Sequence, residues 1–348
     1  MFRKLQHIRI SFSVIACISA YFDAFAQDIH FSQFTESELY MNPSTAGTAY
    51  GGERGELNYR QQWSSMGSPY RTTHASFDMP FGTNKPGNAY LGAGLDIYSD
   101  KAGDADFGTT KASLAISAVL PMNNKNILSV GLSGGAVQRA ADLSKLQWGS
   151  QYYGHYDPNL PSNEVNQLNS FIYPDFGLGA CYKFSNKEEN ILGNDMVIFN
   201  AGAALLHANK PVQKFFTDYD VRLHRKVVFM ASSRVDIKNS NYSFLPALFY
   251  SYQKPASELN LGTLLRYRMR YATKITSAYI ESALYLGCYY RWSDAIIPQV
   301  RLELGNIGFG VSYDINISSF KELTKLNGGI EFSLKYSNLR GATIKTKR

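Results

Sequence analysis

The sequence predicts an all-β chain that folds as a transmembrane antiparallel β-barrel of about 14 strands, preceded by a short N-terminal periplasmic segment. Three observations predict this fold. Apolar and polar residues alternate with a period of two, as they do on the two faces of a strand. Many of the alternating stretches run to about ten residues or more, longer than the usual soluble strand of about five or six. The chain also opens with an export signal, and no later stretch approaches the ~18 uninterrupted apolar residues of a membrane helix.

The N-terminus has the three parts of a cleaved secretory signal. An apolar region over 10–22 is followed by Ala24-Phe25-Ala26, the small-x-small pattern of a cleavage site. The positive residues before it are Arg3, Lys4 and Arg9. A lipoprotein signal ending at Cys17 is the competing interpretation, but the apolar run continues beyond that residue. We therefore expect residues 1–26 to be removed as a signal peptide.

The composition is typical of a membrane barrel. Aromatic residues make up 14% of the chain, and the mean hydropathy is only −0.23. Lipid-facing and lumen-facing residues alternate in such barrels, so their hydropathies cancel. The formal charge of +7 is scattered along the chain rather than clustered. That scatter disfavours nucleic acid as a partner.

Fourteen strands are expected from the alternation. In the clearest stretch, near the C-terminus, Ile307, Phe309 and Val311 alternate with Gly308 and Gly310. The expected strands are 55–63, 70–79, 90–99, 107–120, 126–138, 171–184, 194–206, 224–238, 242–253, 256–270, 279–291, 295–304, 306–317 and 327–337. The same alternation fits a soluble β-sandwich, which would bury its apolar face, so that alternative stays open here. Strand length and the export signal favour the barrel.

The connections between the strands agree with a barrel whose termini are both periplasmic. The two longest connections, 139–170 and 207–223, are the fifth and seventh, which such a barrel places outside the cell. Short connections at 238–241 and 305–306 fall on the periplasmic side. The expected divisions of the chain are a signal peptide (1–26), an N-terminal periplasmic or plug-like segment (27–54), the barrel (55–337) and a C-terminal tail (338–348).

Charged residues fall on the strand face that is predicted to line the lumen. In 256–270, for example, arginines alternate with apolar residues and so share one face. The lumen set is Arg60, Arg234, Asp236, Arg266, Arg268, Arg270, Glu281, Arg291, Arg301, Glu303, Glu331 and Lys335. Such a set lines a wet pore or forms a salt-bridged network around a plug, and we favour the network.

Patterns that suggest catalysis or metal binding have simpler interpretations. His74, Ser76 and Asp78 share a strand face, but residues two apart on a strand are roughly 6.6 Å apart along it, too far for a proton relay. An aspartate cluster in the 99–107 loop lacks the downstream glutamate of a calcium loop. Glycines inside strands, such as Gly92, Gly94, Gly131, Gly134 and Gly135, are expected to permit curvature beneath aromatic neighbours. We expect no enzyme activity and no cofactor.

Residues 28–80 carry two distinctive motifs. The first is H-F-S-Q-F followed by L-Y, N-P and A-G, and the second is N-Y-R-x-Q-W. Their residues are His30, Phe31, Ser32, Gln33, Phe34, Leu39, Tyr40, Asn42, Pro43, Ala46 and Gly47, then Asn58, Tyr59, Arg60, Gln62 and Trp63. Together with the following Tyr70, Ser76, Asp78 and Pro80, this set resembles the PorP/SprF family of type IX secretion system membrane proteins from Bacteroidetes. Ser44 and Thr45 depart from the family's usual alanine and bulky residue.

The resemblance implies a non-enzymatic outer-membrane barrel that supports export and surface attachment of a large secreted adhesin, linked to gliding motility. Its implied partners are the adhesin, through a C-terminal sorting domain, the other type IX secretion components (translocon, periplasmic ring or lipoproteins) and outer-membrane lipid. The alternative is a solute porin with a charged lumen. Aromatic residues in the two long connections are the candidate cargo-binding surface. These are Trp148, Tyr152, Tyr153, Tyr156, Phe215, Phe216 and Tyr219.

Overall fold

The computed structural model describes residues 28–49, 52–64, 68–82, 87–163, 170–186, 196–214, 221–270, 281–318 and 327–338. The predicted signal peptide lies outside these residues. So does the predicted tail beyond residue 338, and so do the candidate cargo residues Phe215, Phe216 and Tyr219.

Within the described residues, fourteen antiparallel strands form one closed barrel, which confirms the predicted fold. In chain order these strands are β1 (Arg54–Gln62), β2 (Tyr70–Phe81), β3 (Tyr90–Ala102), β4 (Phe107–Pro121), β5 (Asn126–Ala140), β6 (Phe171–Ser185), β7 (Val197–Leu206), β10 (Lys226–Asp236), β11 (Tyr242–Gln253), β12 (Ala256–Arg270), β13 (Ser282–Arg291), β14 (Ala295–Leu304), β15 (Ile307–Asn316) and β16 (Asn327–Ser337). A two-stranded hairpin of β8 (Val212–Gln213) and β9 (Val221–Arg222) lies between β7 and β10 and was not predicted. Each barrel strand pairs with its neighbour in this order, and β16 pairs back with β1.

The barrel is apolar on the outside and polar on the inside. Large apolar side chains such as Leu114 and Leu132 point outward and are 64% and 67% exposed. Outward aromatic residues meet in pairs near the strand ends, with ring centroids 5.1 Å apart in Trp63–Tyr70 and 5.1 Å apart in Tyr242–Tyr267. Apolar outer walls bordered by aromatic girdles are typical of membrane barrels. The closed barrel therefore rules out the β-sandwich alternative.

No helix among the described residues has the length and apolar character to cross a membrane.

The two ends of the barrel differ. At one end, here called the terminal mouth, β1 begins at Arg54 opposite the last residue of β16, Ser337. The other end, here called the loop mouth, carries the two longest connections, 141–170 and 207–225. The long connections thus lie together, at the mouth opposite the start of β1 and the end of β16, as the sequence predicted.

Residues 28–49, here called the plug, lie inside the barrel. The plug contains three short helical turns, Phe34–Glu36, Glu38–Met41 and Pro43–Thr45. Two more turns, Leu143–Lys145 and Gly149–Gln151, lie in the connection between β5 and β6. The plug runs from the loop mouth, where Asp28 contacts the start of β10 and the end of β11, to the terminal mouth, where Glu38 pairs with Arg54. Of the two positions that the sequence left open for this segment, the structure has it in the lumen.

Candidate functional site

The barrel closes at a seam where β16 pairs with β1. The strands around this seam bind the start of the plug through a buried polar cluster. The Glu331 carboxylate accepts the backbone N–H groups of Ser32, at 2.7 Å, and of Gln33, at 3.1 Å. The Ser32 hydroxyl donates to Asp314 at 2.6 Å and accepts from Arg60 and Arg291 at 2.8 and 2.7 Å. These partners lie on β1, β13, β15 and β16, so the plug holds together the strands on both sides of the closing seam.

The Gln33 side chain of the plug is hydrogen-bonded to residues of the barrel wall on two strands. Its amide donates to the Glu331 carbonyl at 3.0 Å, and its Oε1 accepts from Ser333 and Gln299 at 2.7 and 3.3 Å. A Cβ on Gly310 would lie 2.5 Å from that Oε1. The absence of a side chain at Gly310 therefore makes room for the Gln33 amide.

Two plug glutamates are held by basic residues further along the lumen. Glu36 pairs with Arg301, and with Lys335 at 3.5 Å. Glu38 pairs with Arg54, whose guanidinium also donates to Asp78 at 2.7 Å. Buried charges are costly unless they are paired and hydrogen-bonded. The lumen arginines and Lys335 supply these pairs, in line with the salt-bridged network that the sequence favoured over a wet pore.

A row of inward-facing glycines makes room for the second half of the plug. A Cβ on Gly92 would lie 2.2 Å from the Ala46 carbonyl oxygen, and one on Gly131 would lie 2.6 Å from the Ser44 Cα. A Cβ on Gly94 would meet Leu39 at 2.7 Å. The sequence interpretation placed these three glycines beneath aromatic neighbours, and that interpretation was wrong. It holds for Gly134, where a Cβ would lie 3.2 Å from the Phe176 ring.

Asn42 fixes the plug to β6 and β7. Its Nδ2 donates to the carbonyls of Ala180 and Ala203 at 3.1 and 3.3 Å, and its Oδ1 accepts from the Ser44 N–H and hydroxyl at 3.0 and 2.7 Å. Cβ atoms on Gly179 and Gly202 would lie 2.0 and 2.7 Å from this amide. The motif residues Asn42 and Pro43 thus begin a helical turn that fits against glycine on two neighbouring strands.

The end of the plug is a left-handed turn. Gly47 has φ +64, and its N–H donates to Asp78 at 2.7 Å. The Ala46 carbonyl accepts from Ser117 at 2.7 Å. A Cβ on Gly47 would lie 2.6 Å from the Gly92 Cα, so both conformation and space require glycine here.

Aromatic residues of the plug form the apolar core of the lumen. The Tyr40 ring meets Phe31, His74 and Tyr98 with centroids 5.9, 5.8 and 5.5 Å apart. A second group joins Phe34 to Phe249 and Tyr289, at 5.5 and 5.2 Å. Leu39 packs in a separate buried cluster with Ala46 and Ala115.

The motif on β1 divides between the two faces of the strand. Arg60 faces the lumen and contacts the His30 carbonyl and ring, both at 3.1 Å, while Asn58 lies 3.2 Å from the His74 ring. Tyr59 points outward, and Trp63 follows the strand end and packs on Tyr70. Gln62, the last residue of β1, is half-buried.

No catalytic arrangement forms around His74. Its ring lies between Asn58 and Asp96, 2.6 Å from the Asp96 carboxylate, and it is fully buried. Ser76 instead contacts Glu56, and Asp78 binds Arg54. The segment 131–135 has G-x-S-x-G spacing but lies within β5, not at the strand-to-helix turn that exposes a nucleophile.

The three loop aspartates also have protein partners. Asp100 accepts from Thr72 at 2.6 Å, Asp104 accepts from Ser68, and Asp106 pairs with Lys145. Among the described residues, no group of histidine, cysteine or acidic side chains is arranged to hold a metal ion.

A second charge network lines the lumen near the terminal mouth. Arg234 donates to Asp236 at 2.8 Å, and Arg268 lies 3.8 Å from Asp236 and 3.4 Å from Glu281. Arg266 also pairs with Glu281. The neighbouring Glu303 accepts from Tyr285 and lies 3.6 Å from Arg301, whereas Arg270, at the end of β12, is exposed.

A cleft lies between part of the plug and strands β6, β7 and β10. Its lining includes Phe34, Glu38, Cys181, Lys183 and Met230. The Lys183 ammonium donates to the Thr48 carbonyl. The part of the plug that borders the cleft is thus held by Arg54 through Glu38 and by Lys183 through Thr48.

At the loop mouth, His207 lies between two carboxylates. Its Nε2 is 2.6 Å from Asp28 and its Nδ1 is 2.7 Å from Asp175, which also accepts from Lys111 at 2.8 Å. Burial alone favours the neutral imidazole, but the two carboxylates outweigh it and raise the pKa of His207 to about 9. Neither His207 nor Asp28 was singled out from the sequence, because residues 179 positions apart give no local pattern.

The candidate cargo residues that the structure describes lie in the connection between β5 and β6. Tyr152 and Tyr153 are 65% and 87% exposed, while Trp148 and Tyr156 are half-buried. A bridge between Tyr152 and Tyr156 closes the turn, and Gly154 has φ +75. The turn therefore presents two adjacent tyrosines to solvent.

Comparisons with known proteins agree with the motifs. The family described as type IX secretion system membrane protein PorP/SprF matches residues 23–336. The comparison with curated proteins gives no match.

Several solved structures are similar in fold to the chain. BamA from Haemophilus ducreyi lacking POTRA domains 1–3 has a TM-score of 0.42 and 11% identity, covering 82% of this chain and 70% of that one. The CymD monoaromatic hydrocarbon channel has a TM-score of 0.41 and 13% identity, covering 86% and 92%. The translocator domain of the autotransporter NalP from Neisseria meningitidis has a TM-score of 0.30 and 10% identity, covering 96% and 97%.

Proposed function

The chain belongs to the PorP/SprF family of type IX secretion system membrane proteins, and from that premise we propose that it supports export and surface attachment of a large secreted adhesin. In this proposal it is a non-enzymatic outer-membrane barrel, and the adhesin carries a C-terminal sorting domain. The other type IX components are its partners at the periplasmic side. Gliding motility is the cellular process that it serves.

The filled lumen is the observation that carries this proposal. The plug crosses the barrel from Asp28 at the loop mouth to Glu38 beside Arg54 at the terminal mouth, and Phe31 and Gln33 are completely buried along the way. A solute porin needs a water-filled passage. A barrel filled by its own chain suits a protein that binds a partner at its surface better than it suits a porin.

The cargo surface in this proposal is the loop mouth, which faces the outside of the cell. The long connections are gathered there, and Tyr152 and Tyr153 are exposed side by side. Exposed aromatic residues are enriched in protein interfaces. The plug has the complementary role of stabilising the barrel, and the terminal mouth meets the periplasmic components.

Two deletions test the proposal in cells that display the adhesin. Deleting 150–165 is expected to leave the barrel in the membrane and to remove the adhesin from the surface. Deleting 28–47 is expected to lower the level of the barrel itself. If the loop deletion leaves surface adhesin unchanged while the barrel is present, the proposed cargo surface is wrong.

Point variants sharpen the test. A Tyr152→Ser, Tyr153→Ser double variant is expected to lower surface adhesin without a change in barrel level. Met122→Ser is the matched control, because Met122 is 66% exposed in a turn at the opposite mouth. The native barrel is expected to co-purify with the adhesin. A stable open conductance from the purified wild-type protein would instead favour the porin.

A further inference from the structure

The described residues of the connection between β7 and β10, namely 207–214 and 221–225, lie at the loop mouth and are here called the cap. Gln213 and Leu223 of the cap are buried, and the Leu223 N–H donates to the Pro211 carbonyl at 3.0 Å, so the two arms of the cap are joined. Gln213 also accepts from Arg139 of β5 at 3.0 Å, and the His224 carbonyl accepts from Gln253 of β11 at 3.2 Å.

The cap meets the plug through His207, its first residue. The imidazole bridges Asp28 of the plug and Asp175 of β6, at 2.6 and 2.7 Å. Lys226 is 4.0 Å from the same Asp28 carboxylate, and Lys111 pairs with Asp175. The imidazole is thus one member of a charge cluster that joins plug, cap and wall.

The charge cluster around His207 lies at the outer end of the plug. Asp28 is the first described residue of the plug, and its N–H contacts the Gln253 side chain at 3.3 Å. A displacement of the cap therefore disturbs the contacts of Asp28 before it disturbs the contacts of plug residues deeper in the lumen. The seam cluster around Ser32, by contrast, is made with strands of the wall.

We propose that His207 couples the cap to the plug, so that displacing the cap at the loop mouth releases the first residues of the plug from the lumen. Removing the imidazole takes a charged hydrogen-bond partner away from both Asp28 and Asp175, and this destabilises the closed arrangement. The coupling is reciprocal, since a change that frees Asp28 also loosens the cap. That the adhesin is the partner that displaces the cap rests on the proposed function, whereas the coupling itself does not.

The experiment measures release of the plug directly on the purified full-length barrel. Ile29→Cys, in a background with Cys17→Ser, Cys181→Ser and Cys288→Ser, is the reporter, and a membrane-impermeant maleimide is the probe. Adding His207→Ala is expected to speed labelling by about tenfold or more. The matched control is His155→Ala, an exposed histidine at the same mouth, which is expected to leave the rate unchanged.

The reciprocal experiment measures how fast trypsin cleaves the cap at residues such as Lys210 and Arg222. Asp28→Asn is expected to speed cleavage in the cap, and Asp157→Asn in the other long connection is not. Migration as a compact barrel on an unheated gel shows that each variant is folded. Unchanged Ile29→Cys labelling in a compact His207→Ala barrel would overturn the coupling, as would unchanged cap cleavage in compact Asp28→Asn.

Both arms use the barrel without any adhesin. Failure of the coupling therefore leaves the adhesin proposal standing, and a loop deletion that leaves surface adhesin unchanged does not alter the labelling result.

Discussion

The carbonyl oxygen of Ala46 occupies the space that a side chain on Gly92 would need, because a Cβ on that glycine would lie 2.2 Å from it. The hydroxyl of Ser117 on the neighbouring strand donates to the same oxygen at 2.7 Å. Gly131 has the same relation to the backbone at Ser44. Plug backbone and barrel wall are therefore in direct contact, and the wall is shaped for this segment.

Gly92→Ala is the first test of that contact. The added methyl overlaps a backbone oxygen rather than the end of a flexible side chain, so plug or strand must shift. We expect a loss of about 1–3 kcal/mol in the free energy of unfolding, the usual cost of overpacking. The measurement is a urea titration of the compact, unheated form. Gly55→Ala is the control, since a Cβ there would be 3.8 Å from its nearest neighbour.

Deletion of the plug tests whether the cost of Gly92→Ala comes from contact with the plug. In a barrel that lacks 28–47, Gly92→Ala is expected to lose most of its cost, because Ala46 is absent. An equal loss with and without the plug would mean that the glycine is needed by the strands alone.

The wall of the barrel could be predicted from the sequence almost completely. Period-2 alternation is a local property, so it gave the fourteen strands, their faces and the grouping of the long connections at the mouth opposite the start of β1 and the end of β16. The stretch 256–270 matches β12 at both ends. The short hairpin of β8 and β9 was missed because two residues per strand are too few to show a period.

The interior of the barrel could be predicted only in part. The charged face was visible, but which acid meets which base depends on contacts between residues far apart in the chain, such as Ser32 and Asp314. The plug motif was visible as a resemblance, whereas its fit against Gly179 and Gly202 requires the curved wall in three dimensions. Asp28 and His207 gave no pattern at all.

The two faces of β12 are expected to respond oppositely to substitution. Arg268→Leu is expected to leave membrane assembly intact, since Asp236 keeps Arg234 at 2.8 Å and Glu281 keeps Arg266. Leu265→Arg places a charge on the lipid face, at a cost of about 2–4 kcal/mol near the bilayer midplane. Folded barrel in outer-membrane fractions is the measurement. Equal assembly defects from the two variants would contradict the assignment of faces.

The two cysteines of the described barrel are expected never to form an intramolecular disulfide. Cys181 is buried on the lumen side of β6, and Cys288 is exposed on the lipid side of β13. The barrel wall separates the thiols, although exported proteins commonly carry disulfides. Non-reducing mass spectrometry of the purified protein checks this, and a peptide pair joined through these cysteines would refute the register.

The contacts of His207 make the mouth of the barrel sensitive to alkaline pH. An unperturbed histidine has a pKa of about 6.5, and Asp28 and Asp175 raise the pKa of His207 to about 9 in the folded chain despite its burial. Because the folded-state pKa is the higher one, the protonated imidazole contributes its full stabilisation below about pH 6.5. That contribution declines as the pH rises and is lost above pH 9. The His207 charge, together with Lys226, in turn holds the pKa of Asp28 below its ordinary value despite burial, so this carboxylate stays ionised throughout that range.

We therefore expect the stability difference between wild type and His207→Gln to shrink between pH 6.5 and pH 9. Glutamine keeps a hydrogen-bond donor but has no charge to lose, so other titrating groups cancel in the comparison. The measurement is the urea midpoint of both proteins at half-unit steps of pH, with His155→Gln as a control that follows wild type throughout. A difference that stays constant from pH 6 to pH 9.5 would show that His207 contributes through shape and neutral hydrogen bonds rather than through its charge.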